Sequence, residues 1–294
     1  MPSPLHVRVF APAKINLCLH VTGQRADGYH RLDSLVGFAS VGDILEIFAG
    51  GPAGLTISGP EAGELRADAG NLVAKTAAAF WRDGPLKLHL AKNLPLASGL
   101  GGGSADAAAC YRGIVALQGA GEDAAALLAL GADVPICATS RPARIRGIGE
   151  VMEFCALPPL SLLLVNPRVE VSTQAVFKLL ARKDNSALSP LPSDLSDGET
   201  LIRWLAEQRN DLEPPAQKIA PVVGSVLAAL RNLPFCALAR MSGSGASCFG
   251  IFGSASETEI AATRLRLNHP DWWITPARLD GQDRAAPQEI RETT

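Results

Sequence analysis

Apolar and polar residues alternate over residues 6–10, which predicts a short strand running into Pro12. Residues 15–21 are apolar and lead into a polar stretch, 22–30, punctuated by Gly23 and Gly28. Strand patterns resume at 34–40, 43–48 and 54–58, so the opening of the chain reads as β-rich with closely spaced turns. The spacing then predicts a helix over 71–81 with Gly84 beyond its end, and a strand over 85–90. After a glycine run, Ala107, Cys110, Tyr111, Ile114 and Leu117 recur at helical spacing, predicting a helix over 105–118 with Ser104 as its N-cap. A further helix is predicted over 123–130, closed by Gly131.

Pro158 and Pro159 form the best candidate boundary, dividing the chain into domains 1–157 and 158–294. Beyond it, 161–165 reads as a strand and 173–180 as a helix. Residues 183–198, rich in Ser, Pro and Asp, read as a surface loop. Helices are predicted over 201–207, 216–230 and 257–267, and strands over 236–241 and 248–252 around a second Gly/Ser turn. The polar tail after Asp280 is expected to fray. Strands mixed with helices and no internal repeat predict an α+β fold.

Composition narrows the function classes. Twenty-seven Lys and Arg face 29 Asp and Glu, a net charge of −2, so no global basic field exists to collect nucleic acid. An anionic ligand must be held by local groups. None of the six cysteines lies in a Cys-x-x-Cys pair and the five histidines show no paired spacing. They read as free thiols in a reducing compartment, with no metal site formed by protein side chains. No apolar run approaches the ~18 residues of a membrane span, and the N-terminus lacks a charged region followed by an apolar one. A soluble, cytoplasmic protein is the expectation, with no nucleic-acid or membrane partner.

The candidate chemistry begins at Leu96, Ala97, Ser98, Gly99, Leu100, Gly101, Gly102, Gly103 and Ser104. Glycine permits positive φ and close backbone approach, so successive N–H groups can curl round an anion. A helix N-terminus directly afterwards adds unpaired N–H donors and a positive dipole end. No Lys follows the glycines, as a Walker-type loop requires, and Ser104 stands where the third glycine of a dinucleotide fingerprint would be. Taken alone, the segment is either a phosphate cradle or a flexible surface turn.

The segment from Pro95 to Ala108 resembles the Pro-x-x-x-Gly-Leu-Gly-Ser-Ser-Ala-Ala signature of the GHMP small-molecule kinases. Ala11 to Leu17, with Lys14 and Asn16, is similar to their N-terminal motif, and Ser242 to Cys248 to their C-terminal glycine motif. Gly23 to His30 and Gly131 to Pro135 resemble a branch of that family whose acceptor is a cytidyl diphosphate ester of a methyl-branched polyol, on the non-mevalonate route to isoprenoid precursors. The resemblance runs from about Val9 to about Asn268.

The resemblance implies a ribosomal-protein-like N-terminal domain, a ferredoxin-like C-terminal domain, ATP with Mg²⁺, and transfer to a 2-hydroxyl. It makes Asp133 the acceptor of the hydroxyl proton and Lys14 its electrostatic partner. Without it, Asp133 reads as a helix N-cap and Lys14 as a snorkelling surface lysine. It implies that residues 96–104 hold the triphosphate, with Ser104 within reach of Mg²⁺, and that Asn71 and Lys92 lie near ATP. It implies that Asn16 bonds substrate, that Tyr29 and Phe177 stack on the two faces of a cytosine, and that His30 bonds the ring edge. The alternative for Phe177 is helix core, and for Tyr29-His30 a surface turn. Gly243 and Gly245 would close the site from the second domain. Asp106 departs from the family pattern, which favours an uncharged residue there, and is expected to point away from the phosphates. Asn210 and Asp211 match a polar element of no derivable role. A monomer or a homodimer is compatible with all of this. The rival readings are another GHMP kinase, acting on mevalonate, homoserine or a sugar, and a non-catalytic binding module on the same fold.

Overall fold

Two antiparallel strands far longer than the sequence pattern suggests organise the first half of the molecule. The structure, a computed structural model, describes residues 6–63, 65–119, 123–195, 197–280 and 284–290. Strand β1 spans His6–Gln24 and β2 His30–Ala49, paired along nearly their whole length. Pro12 does not end β1: it still pairs with Gly42, and the register shifts between Pro12 and Lys14, an irregularity of the kind that accommodates proline in a strand. The stretches 34–40 and 43–48, expected as separate strands, are one strand for the same reason. The turn between β1 and β2 carries the polar segment ending in Tyr29.

Strand β3 (Gly54–Ser58), helix α1 (Leu72–Phe80) and β4 (Leu86–Ala91) follow. Helix α2 spans Gly102–Gln118, so it starts earlier than expected, and Ser104 lies inside its first turn rather than capping it. Helices α3 (Ala124–Leu130) and α4 (Val134–Thr139) precede the hairpin β5 (Ala143–Gly147) and β6 (Val151–Phe154), which the pattern missed. Among the described residues the first sheet has seven strands: β11 (Gln288–Glu289), β1, β2, β4 and β3 in that order, with β5 on β2 and β6 on β5. Strand β11 (Gln288–Glu289) belongs to the tail expected to fray; it pairs with Val7 and Arg8 of β1.

The second sheet is four-stranded and ordered β10-β7-β9-β8, from β7 (Ser161–Asn166), β8 (Leu238–Met241), β9 (Cys248–Phe252) and the unforeseen β10 (Trp273–Arg278). Around it lie α5 (Thr173–Lys178), α6 (Gly198–Ala206), α7 (Glu213–Ile219), α8 (Val222–Arg231) and α9 (Ala255–Asn268). The single helix expected over 216–230 is two, because Pro221 cannot donate the bond that would carry α7 onward. Of the loop expected over 183–198, residues 183–195 are irregular but not merely superficial, and Gly198 already starts α6: Leu188 is buried, and its N–H reaches Asp33, which Arg144 grips through two nitrogens.

Among the described residues, three of the four apolar clusters hold the two sheets and their helices together, and the fourth, of Ala107, Tyr111, Leu127 and Val134, packs α2 on α3 and α4. Of those three, one lies between the first sheet and α2, and another between the second sheet and α7, α8 and α9. The third mixes Ile15, Leu17 and Leu35 of the first sheet with Leu162, Leu164, Phe249 and Ile251 of the second. That seam seats the loops of one sheet against those of the other.

Candidate active site

The bulge in β1 and the short helix α4 bring two distant charges together. Lys14 is buried, and its Nζ lies 2.7 Å from Oδ1 of the half-exposed Asp133. Asp133 occupies the N-cap position of α4, with Pro135 in the first turn, but its side chain caps nothing. Its backbone is already helical, so the carboxylate cannot turn back onto the first N–H groups and is free to meet Lys14.

The glycine segment forms the floor beside this pair. The N–H of Lys14 donates to Leu100 O at 2.9 Å, and Leu100 is buried. Gly99 has φ +76°, and a Cβ there would lie 2.5 Å from Ser242 O, so only glycine lets this strap rest on the second glycine turn. Two bonds join the straps: Ser247 N–H to Ser98 O at 2.9 Å, and Ser242 Oγ to Gly99 O at 3.0 Å. Gly101 turns the chain into α2 with φ +65°, and no side chain caps that helix end. The first N–H groups of α2 thus offer donors and a positive dipole end to an anion.

Beneath this end lies a buried cluster. Lys92 Nζ bonds Asp106 Oδ2 at 2.7 Å and also Asp43. Asp43 in turn accepts the N–H groups of Asn93 and Leu94 at 2.6 and 2.9 Å. Burial works against the Lys92 charge, but Asp106 and Asp43 more than offset it and raise its pKa. Burial pushes the Asp106 carboxyl well above the ordinary carboxylate range, against the pull of Lys92 and with the push of Asp43. Asp106 is turned onto Lys92, and Lys92 is already engaged by the side chains of Asp43 and Asp106. Asn71 caps α1, accepting the Val73 N–H at 2.9 Å.

A cleft of about 690 Å³ opens over these groups. Its walls include Lys14, Asn16, Asn71, Lys92, Asp133 and Phe177, residues 95–99 and 101–104, and Gly243, Ser244 and Gly245. Asn16 Nδ2 donates to Ser34 Oγ at 2.8 Å, while its buried Oδ1 has no partner. Phe177 packs partly on the second core, so its helix-core reading and its cleft position both hold. His30 stacks on Phe177 with ring centroids 4.7 Å apart, and its buried Nε2 also lacks a partner. Burial, and then Lys183, lower the His30 pKa. Tyr29 is 61% exposed, outside the cleft wall. The expected stacking of Tyr29 and Phe177 about one ring is thus not assembled here, because His30 covers Phe177.

The sequence left Asn210 without a role. Its Nδ2 donates to Met241 O and Gly243 O, both at 2.8 Å, and its Oδ1 accepts the Leu212 N–H at 2.9 Å. Asp211 accepts the Val21 N–H of β1 at 2.7 Å. The two residues therefore tie β1 to the second glycine turn. Two adjacent polar residues before an apolar helix were the only signal. The pairing of Thr173 Oγ1 with Ser244 Oγ at 2.8 Å, on the opposite rim, was not read at all. Among the described residues, no helix is long and apolar enough to cross a membrane, and no cluster of three or more His, Cys, Asp or Glu could cage a metal.

Comparison with known proteins bears on which chemistry this cleft serves. Residues 71–144 match the family model of the GHMP kinases N terminal domain, and residues 178–271 that of the GHMP kinases C terminal. The chain is 50% identical over 286 residues to the 4-diphosphocytidyl-2-C-methyl-D-erythritol kinase of Dinoroseobacter shibae, covering 95% of this chain and 96% of that one. It is 51% identical over 278 residues to the protein of that name from Paracoccus denitrificans, covering 94% and 98%. A solved structure described as a crystal structure of 4-(cytidine 5'-diphospho)-2C-methyl-D-erythritol kinase superposes with a TM-score of 0.75 at 33% identity, over 92% of this chain and 98% of that one.

Proposed function

The chain belongs to the 4-diphosphocytidyl-2-C-methyl-D-erythritol kinases of the GHMP family, and from that premise we propose that it transfers the γ-phosphoryl group of ATP to the 2-hydroxyl of that cytidyl substrate. The observation that carries the site assignment is the Lys14–Asp133 pair, 2.7 Å apart, beside the uncapped N-terminus of α2. An alcohol attacking a phosphorus needs a proton acceptor, and the transferred group needs positive charge around its oxygens.

Asp133 accepts the proton of the 2-hydroxyl. The oxygen forms its bond to the γ-phosphorus as the bond to the β-phosphate oxygen breaks, and ADP leaves with the electron pair. Lys14 pairs with Asp133 at 2.7 Å and faces the developing charge. The N–H groups at 101–104 hold the phosphates, while Asn71 and the rim above Lys92 flank the nucleotide. Mg²⁺, carried in by ATP, would neutralise phosphate charge. The ion would be held mainly by phosphate and water, with Ser104 as a protein oxygen within reach. Asn16 Oδ1 and His30 Nε2, buried without partners, are ready to bond substrate. Cytosine would displace the His30 ring from Phe177 and be covered by Tyr29. Gly243 and Gly245 approach from the second glycine turn.

The strands of the second sheet begin at Ser161, which supports a division between residues 157 and 158, although β11 returns to the first sheet. The six cysteines are all free, which supports action in the cytoplasm.

Steady-state kinetics of Asp133→Asn and Lys14→Met test the assignment. A positioned acid or base contributes about 10²–10⁴-fold, so kcat falls by that order while both proteins unfold as the parent does. Near-parental turnover in Asp133→Asn removes it as base. Turnover of mevalonate or homoserine at a kcat/KM equal to that of the cytidyl alcohol removes the substrate assignment.

A further inference from the structure

A guanidinium inside a protein ordinarily meets a carboxylate, because an unpaired buried charge is costly. Arg112, in the middle of α2, has no carboxylate within ion-pair distance among the described residues. It is spent on neutral oxygens instead. Its Nε donates to Ala285 O at 3.0 Å. Nη1 donates to Cys137 O at 2.7 Å and to Ser140 Oγ at 3.2 Å, and Nη2 donates to Phe10 O at 2.8 Å. Burial pushes its pKa down to about 10, which still leaves it cationic at neutral pH.

The identity of those acceptors is informative. Phe10 lies on β1, the strand that carries Lys14 beyond its bulge. Cys137 lies on α4, and its own N–H donates to Asp133 O at 3.1 Å. One rigid, planar fork therefore joins the two elements that bear the opposed charges of the cleft, from the side away from the ligand. It reaches the C-terminal end of α4, where a cation suits the helix dipole. Ala285, from the last described segment, closes the fork on its third side. Reacting groups tolerate little displacement: an error of about 1 Å costs on the order of 10²-fold in rate.

We propose that Arg112 is a positioning residue, setting the separation and aim of Lys14 and Asp133 by clamping β1 to α4. The inference rests on the assignment of Asp133 as base. The test compares Arg112→Met and Arg112→Lys with the parent, measuring kcat, both KM values and the pH profile of kcat/KM. Arg112→Met lowers kcat about 10- to 100-fold. KM for ATP and for the cytidyl alcohol stays within about twofold, because the ligand-facing groups are intact. The acid limb of the profile shifts, because the Lys14–Asp133 pair is displaced from its 2.7 Å separation. Arg112→Lys, whose ammonium reaches some of the same carbonyls, recovers part of kcat.

A purely structural role would lower the active fraction and leave the limb where it was. That result, or a parental kcat in folded Arg112→Met, overturns the proposal. Should Arg112→Met fail to fold, Arg112→Lys decides: an unmoved limb with parental kcat overturns it, and a reduced kcat with a moved limb supports it. Asp133→Asn measured alongside separates the two readings. A dead Asp133→Asn beside an unmoved limb in Arg112→Met overturns the clamp alone, whereas a fully active Asp133→Asn overturns the base and the clamp together.

Discussion

Two glycines four residues apart should respond to alanine in opposite ways. At Gly99 the φ of +76° alone costs an L-residue about 1–2 kcal/mol. The new Cβ would also lie 2.5 Å from Ser242 O, 2.8 Å from Gly245 O and 2.9 Å from Gly245 N. All three are backbone atoms and cannot rotate aside, so the glycine straps must part by several tenths of an ångström. Overpacking of that kind costs about 1–3 kcal/mol. The penalty is then about 2–5 kcal/mol, a large share of the 5–15 kcal/mol available to a typical domain.

At Gly103, in the first turn of α2, a Cβ meets only Leu72 Cδ1 at 3.5 Å, an ordinary contact. Gly103→Ala should leave stability unchanged or raise it by up to about 1 kcal/mol. The added methyl would nevertheless stand on the exposed face where the phosphates are proposed to lie, so KM for ATP should rise at least about tenfold. Equilibrium urea unfolding and ATP titration of both variants check this. Gly99→Ala of parental stability would refute the docking of the straps, and Gly103→Ala with parental KM for ATP would refute the phosphate site.

Other expectations follow from single side chains. Asn210→Ala strands two carbonyls of the second glycine turn and the N–H of Leu212, and should cost about 2–4 kcal/mol in urea unfolding, with a fall in kcat. Burial, opposed by Lys92 and assisted by Asp43, pushes the Asp106 carboxyl from 3.8 to about 8. A group whose folded pKa is raised gives stability that is complete below the unfolded pKa and lost as pH rises through the folded one. Melting temperature should therefore fall between about pH 4 and pH 8 in the parent and fall less in Asp106→Asn, as thermal scans across that window would show. Burial, and then Lys183, hold the His30 pKa below 6.5, so KM for the cytidyl substrate should be flat above that pH and rise below it. His30→Gln should remove the acid-side rise.

Much of the site was readable because its motifs are local. The segment 96–104, Lys14, Asp133 and the second glycine turn each announce themselves in a few adjacent residues, and the cleft contains them all. Reading failed where a role depends on a distant partner. Asp106 looked like a misplaced charge beside a phosphate loop until Lys92 and Asp43 were seen to surround it. Asn210 had no meaning without Met241 and Gly243 to hold. The capping role of Ser104 failed because Gly101 and Gly102 begin the helix earlier, a choice of backbone conformation that glycine leaves open in either direction.

Local chemistry is therefore what the chain writes down by itself. Periodicity marks most helices and several strands, the charge balance shows that no global basic field exists, and the glycine patterns mark where an anion can approach backbone. Tertiary structure decided everything that depends on pairing. It ran β1 and β2 through the proline and turn signals that seemed to divide them, since a ladder of partner strands outweighs one missing donor. It recruited residues 288–289 to the first sheet, although nothing in a polar tail names its partner. It also set Lys14 against Asp133, 119 positions apart in the sequence numbering of a pair separated by 2.7 Å. That distance is created by packing β1, α2 and α4 together, and no run of neighbouring residues encodes it.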